Sequence, residues 1–171
     1  MLPGFSLVEA RTIPQFEAAR TLIEEYAAYI GALLGVDLSF QNIESELNQL
    51  PVMYGPPSGY LLLAGSGEVW VGCAALRRFS EEVCEMKRLY IKPEARGGNL
   101  GRRLAETLIV KAPLLGYRRM VLDTLEDMTA ARTLYRSLGF RETRPYYVNP
   151  MEGVSYMELA LGSAQHAAPQ S

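Results

Sequence analysis

The chain has 171 residues, of which 49% are hydrophobic and 21% are charged, and its formal net charge is −2. This composition predicts one globular domain, because a chain of about 150 residues already buries roughly 70% of its surface on folding. The small net charge argues against nucleic acid and anionic membranes as partners. The lack of any run of about 18 uncharged apolar residues predicts a soluble, cytoplasmic protein.

The N-terminal part, residues 1–58, predicts a short strand followed by two helices. The strand is expected over Phe5–Ala10, and the apolar spacing that follows it is that of a long amphipathic helix. A second, short helix is expected over Phe40–Leu50. We expect Pro51 to stop it, because proline lacks the N–H that a helix interior needs. A loop rich in proline and glycine then closes this region.

Residues 59–161 predict alternating strands and helices. Two apolar runs flank Ser66-Gly67, a spacing that favours an antiparallel hairpin. The patterns then predict a fourth strand, a helix, a fifth strand, a second helix closed by glycine and a last strand: Val83–Ile91, a helix from Leu100, Tyr117–Leu125, Thr129–Gly139 and Ser155–Leu161. This order predicts an α/β (α+β) fold in a single domain over residues 1–161, followed by a disordered tail over residues 162–171.

The stretch YIKPEARGGNLGRRLAE, Tyr90–Glu106, joins the fourth strand to the next helix. Backbone N–H groups at a helix N-terminus bind anions, glycine lets a ligand approach the backbone, and asparagine tolerates left-handed conformations. The Walker A and dinucleotide-binding spacings are not met. A pyrophosphate-binding loop and a plain strand-to-helix turn are the two alternatives that the residues leave open.

Two motifs resemble those of the GNAT superfamily of N-acetyltransferases. Its pyrophosphate loop has the pattern Arg/Gln-x-x-Gly-x-Gly/Ala after the fourth strand, and Arg96–Gly101 match this pattern except that Asn99 stands where the family usually has glycine. Ala131–Phe140, ARTLYRSLGF, is similar to the family's A-x-x-L-Y-x-x-x-G-F segment. The resemblance covers Gly59–Leu161, while the N-terminal helices are similar only in kind.

The resemblance implies a mixed, splayed sheet flanked by helices, with acetyl-CoA held between the fourth and fifth strands. The residues implied to bind this cofactor lie at the end of the fourth strand and in the loop after it: Leu89, Tyr90, Ile91, Arg96, Gly97, Gly98, Asn99, Leu100, Gly101 and Arg102. For the arginines at the helix start, the alternative is a solvated helix face.

The resemblance also implies direct attack of an amine on the thioester. Tyr135 matches the tyrosine that commonly protonates the departing thiolate, and its alternative is a core aromatic on an amphipathic helix. Glu85 matches a glutamate of the fourth strand that some members use as a base; it could instead pair with Lys87 or Arg88 in a surface ladder. Met128 stands where many members carry asparagine.

The acceptor is expected to be a primary amine, with CoA as the second product. Tyr146, Tyr147 and Asn149 in the loop Arg144–Gly153 are candidates for the substrate site, as is Tyr29 on the first helix; local packing is their alternative. The glutamates of the N-terminal helices are expected to be solvated: Glu24, Glu25, Glu44 and Glu46.

The predicted function is therefore acetylation of a small-molecule amine. A peptide or protein N-acetyltransferase and a non-catalytic acyl-CoA sensor are the alternatives, and a homodimer is left open. Cys73 and Cys84 lack a companion at metal-ligand spacing, so we expect two buried, reduced thiols and no metal site.

Overall fold

The structure, a computed structural model, describes residues 4–35 and 43–162. Its strands are β1 Ser6–Glu9, β2 Tyr60–Ser66, β3 Val69–Arg78, β4 Val83–Ile91, β5 Arg119–Leu125, β6 Arg141–Glu142 and β7 Val154–Ala160. Its α-helices are α1 Ile13–Leu34, α2 Ile43–Leu47, α3 Leu50–Met53, α4 Leu100–Leu114 and α5 Thr129–Ser137. The sheet order is β1-β2-β3-β4-β5-β7-β6, and β4 and β5 are parallel whereas β5 and β7 are antiparallel. The predicted mixed sheet flanked by helices is therefore confirmed.

The described residues divide into two compact units. The first comprises the residues up to Arg77 together with Lys87–Leu108, and the second comprises Arg78–Met86 together with the residues from Ile109 onward. Residues 163–171 of the predicted tail and residues 36–42, where the predicted second helix begins, lie outside the described residues. The single-domain assignment stays a prediction.

In the first unit, β2 lies between β1 and β3 and is antiparallel to both. Gly67 adopts a φ of 64° in the connection between β2 and β3, as the predicted hairpin requires. Consecutive residues Leu61–Ala64 are buried, so both faces of β2 are covered. One of the clusters that result contains Leu22 and Ile23 of α1 with Leu61 and Leu63 of β2. Burial of each such side chain stabilises the fold by about 1.5–3 kcal/mol.

Helix α1 begins and ends at residues whose chemistry suits a helix terminus. Thr12 accepts a hydrogen bond from the Gln15 N–H, and the Gln15 side chain accepts from the Thr12 N–H. This reciprocal pair satisfies two N–H groups that no intrahelical carbonyl can reach. The helix ends at Gly35, whose φ of 67° places it in the left-handed conformation that glycine adopts without strain.

The prediction that Pro51 stops a helix is wrong. The chain instead forms two short helices, α2 and α3, and Pro51 lies in the first turn of α3. Proline is tolerated there because the N–H that it lacks would have had no intrahelical acceptor. The break in fact comes earlier, in the turn at Asn48 and Gln49.

A buried ion pair joins α2 to β4 within the first unit. The Arg88 Nε donates to Glu46 at 2.8 Å, and a second guanidinium nitrogen donates to the other carboxylate oxygen at 3.0 Å. Glu46 is only 7% exposed, so the expectation that it is solvated is wrong. Arg88 also has a φ of 62°, a left-handed conformation that is uncommon for a residue with a side chain. Its carbonyl accepts a hydrogen bond from the Cys73 thiol at 3.3 Å.

Charge pairing overcomes the cost of burying Glu46. Burial by itself acts to raise the pKa of this carboxyl, but the hydrogen bond and the positive charge of Arg88 leave the pKa of Glu46 lowered. The pKa of Arg88 is raised in turn, because the Glu46 hydrogen bond and charge outweigh the opposing effect of burial. Both groups are therefore ionised at neutral pH.

In the second unit, β4 and β5 pair in parallel from Val83–Arg119 to Glu85–Val121. Strand β5 begins at Arg119 rather than at the predicted Tyr117. The Tyr117 N–H donates to the Ala112 carbonyl, in the turn that closes α4. Strand β7 pairs with β5 along its length and with β6 on its other side. The two-residue β6 was not predicted, because it is too short to show an alternating pattern.

We predict that Glu46→Gln lowers the free energy of unfolding by on the order of 3 kcal/mol, because it leaves the buried Arg88 charge without its carboxylate. The folded pKa of Glu46 is lowered, so its contribution is complete above the unfolded value of about 4.3 and is lost as the pH falls toward the folded pKa. Urea unfolding at several pH values measures this.

Glu44→Gln, on the same helix but at an exposed position, is the matched control and should change stability by less than about 0.5 kcal/mol. Equal effects of the two substitutions at neutral pH would contradict the importance of the ion pair. A difference in the free energy of unfolding between wild type and Glu46→Gln that does not become smaller at low pH would also contradict it.

Candidate functional site

The loop between β4 and α4 has the backbone that an anion site needs. After the 3₁₀ turn Pro93–Ala95, Gly97 has a φ of 93° and Asn99 a φ of 60°, and α4 begins at the next residue. Asparagine is one of the few residues with a side chain that adopts such a φ readily. A Cβ atom built on Gly97 or Gly98 would meet no heavy atom within 4 Å. The backbone is therefore open to a ligand, and the first N–H groups of α4 have no intrahelical acceptor. These features fit a pyrophosphate.

The side chain of Arg96, a residue of this loop, is held by two aromatic rings. Its guanidinium carbon lies 5.3 Å from the ring centre of Tyr29 and 6.0 Å from that of Tyr90, and its Nε donates to the Ile91 carbonyl at 2.9 Å. Cation–π contacts of this kind orient a guanidinium at a modest energetic gain. Tyr29, which the sequence suggested for the acceptor, is thus placed next to a predicted cofactor residue.

The last three residues of β4 differ in how deeply they are buried. Tyr90 is buried in the core of the first unit, and its hydroxyl lies 3.5 Å from a Glu25 carboxylate oxygen. Leu89 and Ile91 are half-buried. A Cβ at Gly72 would lie 2.6 Å from the Ile91 side chain and 3.0 Å from the Tyr90 carbonyl, so both would have to shift for a larger residue, and glycine avoids this.

The other predicted loop residues lie at the start of α4. The Leu100 side chain is buried, while Gly101 and Arg102 are half-buried. Arg102 forms an ion pair with Glu106, one helical turn later, at 3.3 Å. Arg103 donates to the Phe5 carbonyl at 3.0 Å. The arginine pair thus has protein partners in this structure, and a contact with phosphate stays a prediction.

Glu85 lies in the second unit and is buried, with 1% of its surface exposed. The Tyr146 hydroxyl donates to its carboxylate at 2.6 Å. Glu85 is therefore not on the surface, where a ladder with Lys87 or Arg88 would place it. Burial, followed by the Glu85 charge and hydrogen bond, raises the pKa of Tyr146, so the phenol stays protonated and remains a donor.

A second carboxylate, Asp123 on β5, lies on the same face of the sheet as Glu85. Glu85 pairs with Val121, and the next residue on the Val121 face is Asp123. The Tyr147 hydroxyl donates to the Asp123 carboxylate, and the Asn149 side-chain nitrogen donates to it at 3.2 Å. Burial, then the hydrogen bond to Asp123, raises the pKa of Tyr147. Asp123 was not among the residues predicted for the site, although an acidic residue within an apolar strand is a signal.

Aromatic packing holds the loop between β6 and β7 in place. The Tyr146 ring packs edge-on against Phe79, with centroids 5.1 Å apart, and against Tyr156 at 5.4 Å. Tyr147 also packs against Tyr156, at 5.8 Å, and the Tyr156 hydroxyl donates to the Tyr147 carbonyl at 3.2 Å. We call Tyr146, Tyr147 and Tyr156 the tyrosine cluster. It brings two of the predicted substrate residues next to the predicted base.

Tyr135 lies at the end of α5, where the backbone forms a Schellman motif. The Phe140 N–H donates to the Tyr135 carbonyl and the Gly139 N–H to the Arg136 carbonyl, with a φ of 99° at Gly139. The Tyr135 and Phe140 rings pack edge-on, 5.8 Å apart. Tyr135 is buried, with 8% of its surface exposed, so packing defines its position. Met128 provides no side-chain hydrogen bond at the N-terminus of this helix.

Among the described residues, no helix is long and apolar enough to cross a membrane, and no group of three or more metal-ligating side chains occurs. Cys73 and Cys84 are free and buried. Burial raises the pKa of each thiol to about 12, so neither is a thiolate at neutral pH.

Comparison with known proteins agrees with these motifs. The model of the Acetyltransferase (GNAT) family matches residues 19–140. The chain belongs to this family. An uncharacterised N-acetyltransferase of Schizosaccharomyces pombe is 41% identical over 164 residues, which cover 94% of this chain and 98% of the relative. The chain is therefore an acetyltransferase, an enzyme of the acyltransferase class.

Solved structures of acetyltransferases share the fold. An acetyltransferase from Streptococcus agalactiae has a TM-score of 0.77 at 24% identity, and covers 94% of this chain and 100% of its own. The structure of yncA, a putative acetyltransferase from Salmonella typhimurium, contains its cofactor acetyl-CoA. It has a TM-score of 0.66 at 22% identity, with 98% of this chain and 99% of that chain covered.

We predict that Gly98→Val weakens CoA binding by at least about tenfold while leaving the fold intact. A Cβ at Gly98 meets no heavy atom within 4 Å, so the substitution does not disturb the protein, but the branched side chain occupies the approach of a pyrophosphate. Calorimetric titration with CoA and a thermal melt measure the two effects.

Gly4→Val is the matched control, because Gly4 also faces open space within the same unit. It should bind CoA as the wild type does. An unchanged affinity in Gly98→Val, with the variant folded, would remove the pyrophosphate assignment of this loop.

Proposed function

We propose that this acetyltransferase transfers the acetyl group of acetyl-CoA directly to a primary amine of a small molecule. The observation that carries the proposal is the buried Glu85 carboxylate, held by the Tyr146 hydroxyl within the tyrosine cluster. A buried carboxylate surrounded by aromatic rings suits a group that receives a proton from a cationic amine.

For the cofactor, we propose that Arg96–Gly101 bind the pyrophosphate and that Leu89–Ile91 pair with the pantetheine through their backbone. Support comes from the exposed glycines, from the left-handed Asn99 and from the α4 N-terminus. A helix N-terminus stabilises a nearby anion by about 0.3–1 kcal/mol, and each charge-assisted hydrogen bond adds roughly 1.5–3 kcal/mol. Arg96, whose guanidinium is held by Tyr29 and Tyr90, is the cationic side chain best placed to assist.

For the chemistry, acetyl-CoA supplies the thioester that the amine nitrogen attacks, so that a C–N bond forms and the C–S bond breaks. Glu85 receives one proton of the acceptor ammonium, directly or through one water molecule, and the neutral amine then attacks. The second proton, which the nitrogen loses on becoming an amide, restores Tyr135 after Tyr135 has protonated the thiolate. A carboxylate with an ordinary pKa of about 4.3 is a weak base. The low polarity around a buried group has to help the proton transfer, because it favours the neutral amine and the neutral carboxylic acid over the two ions. Tyr135 donates the proton that the departing sulfur needs, and a phenol is an adequate acid for a basic thiolate.

The small size of the acceptor is inferred from the loop between β6 and β7. The Tyr146 hydroxyl donates to Glu85, and Tyr147 and Asn149 both donate to Asp123. A loop tied to the sheet by these hydrogen bonds suits a small acceptor, whereas a peptide acceptor would need an open groove.

Calorimetric titration with acetyl-CoA and CoA, followed by thiol-release assays over a panel of small amines and short peptides, tests this proposal. We expect binding in the micromolar range and CoA release that depends on a small amine. Release that occurs with peptides alone would favour the peptide alternative. Absence of binding would overturn the assignment of the cofactor loop.

We predict that Tyr135→Phe lowers turnover by about 100-fold while changing the affinity for acetyl-CoA by less than about threefold, because only the proton donor is lost. Steady-state kinetics and calorimetry measure the two quantities. Tyr117→Phe, which also removes the hydroxyl of a buried tyrosine of the second unit, is the control and should leave turnover near the wild-type value. Wild-type turnover in Tyr135→Phe would end the acid assignment.

A further inference from the structure

The contact between Tyr146 and Glu85 joins residues that are 61 positions apart in the chain. At 2.6 Å it has the length of a hydrogen bond between a hydroxyl and a carboxylate, the charge-assisted kind that is stronger than a bond between neutral groups. Its acceptor is nearly inaccessible, since Glu85 is 1% exposed. A buried carboxylate is destabilised as an anion unless donors compensate for the lost water. Tyr146 is such a donor.

The donor itself is held rigidly. Rings of Phe79, Tyr147 and Tyr156 surround the Tyr146 ring with centroids 5.1, 5.2 and 5.4 Å away. Tyr147 is fixed in turn by its hydroxyl on Asp123 and by the bond that its carbonyl accepts from Tyr156. A hydroxyl on a ring packed on several sides has few alternative positions, so it determines where the carboxylate oxygen lies.

The ionisable groups around Glu85 come from three elements. Tyr146 and Tyr147 of the loop and Cys84 of β4 each interact electrostatically with Glu85, and Asp123 of β5 interacts with both tyrosines. The pKa of Tyr146, of Tyr147 and of Cys84 is raised by burial first, so all three are neutral near pH 7.

We propose that Tyr146 is a positioning residue for Glu85. Its hydroxyl keeps the buried carboxylate ionised and oriented so that it can receive the proton of the acceptor ammonium. The proposal rests on the proposed base role of Glu85, and it gives the loop between β6 and β7 a part in the reaction that differs from contact with the acceptor.

Tyr146→Phe tests the proposal, because it removes the donor and keeps the packed ring. Carbon-13 NMR of the glutamate side-chain carboxyl carbons follows the ionisation of Glu85 without any acceptor, and the Glu85 resonance is assigned by its loss in Glu85→Gln. We expect the titration midpoint of Glu85 to rise by about one to two pH units in Tyr146→Phe, as the loss of one charge-assisted hydrogen bond implies. An unchanged midpoint would overturn the proposal.

Kinetics with an amine from the panel provide the second measurement. We expect the acidic limb of the turnover profile to move to higher pH by the same amount in Tyr146→Phe, with the rate approaching that of the wild type in alkali. An acceptor contact would instead raise the KM of the amine and leave the limb in place, and that result would also overturn the proposal.

Tyr117→Phe is the matched control, since it removes the hydroxyl of a buried tyrosine of the second unit that is not part of the tyrosine cluster. It should leave both the midpoint and the limb unchanged. Glu85→Gln distinguishes a failure of the base role of Glu85 from a failure of the positioning role of Tyr146. If its profile keeps the acidic limb, the base assignment fails; if it loses the limb while Tyr146→Phe retains the wild-type profile, only the positioning role fails.

Discussion

A polar or ionisable side chain taken out of water costs free energy unless a partner is buried with it, and β4 carries two such side chains. Arg88 is paired with Glu46 in the first unit, and Glu85 accepts from Tyr146 in the second. Apolar residues could have occupied both positions at lower cost, since replacing a buried ion pair by well-packed hydrophobic residues is often neutral or stabilising. The charges are therefore better explained by what they hold in place than by the stability that they add.

The two charged groups have different consequences. The ion pair of Arg88 ties α2 to a point of β4 where the backbone is left-handed, and such a conformation persists only where the surrounding structure determines it. The carboxylate of Glu85 instead accepts a hydrogen bond from the loop between β6 and β7. The rings of the tyrosine cluster in this region pack against one another. In the first unit, the ion pair supports the left-handed backbone at Arg88. In the second unit, the carboxylate of Glu85 gathers the polar groups that acid–base chemistry uses.

The loop that we propose to bind the cofactor needs no distant partner of this kind. Its shape follows from glycine and asparagine at positions of positive φ, and from a helix that starts directly after them. The contacts of Arg96 with Tyr29 and Tyr90 orient its guanidinium, while local φ preferences already form the loop backbone. A site formed in this way can be recognised from a short motif, and the family match that includes this loop agrees with that view.

The sequence by itself determined the elements whose cause is local. It predicted most of the strands and helices, the hairpin at Gly67, the helix end at Gly139 and the left-handed backbone at Asn99, because φ preferences and periodicity act within a few residues. Only the tertiary structure decided which partner each buried charge has. Glu46 meets Arg88 across 42 positions and Asn149 meets Asp123 across 26, and no short pattern encodes such pairs. The same reason explains why Glu46 was expected in solvent and Asp123 was missed: their partners are distant in the sequence and meet them only in the folded chain.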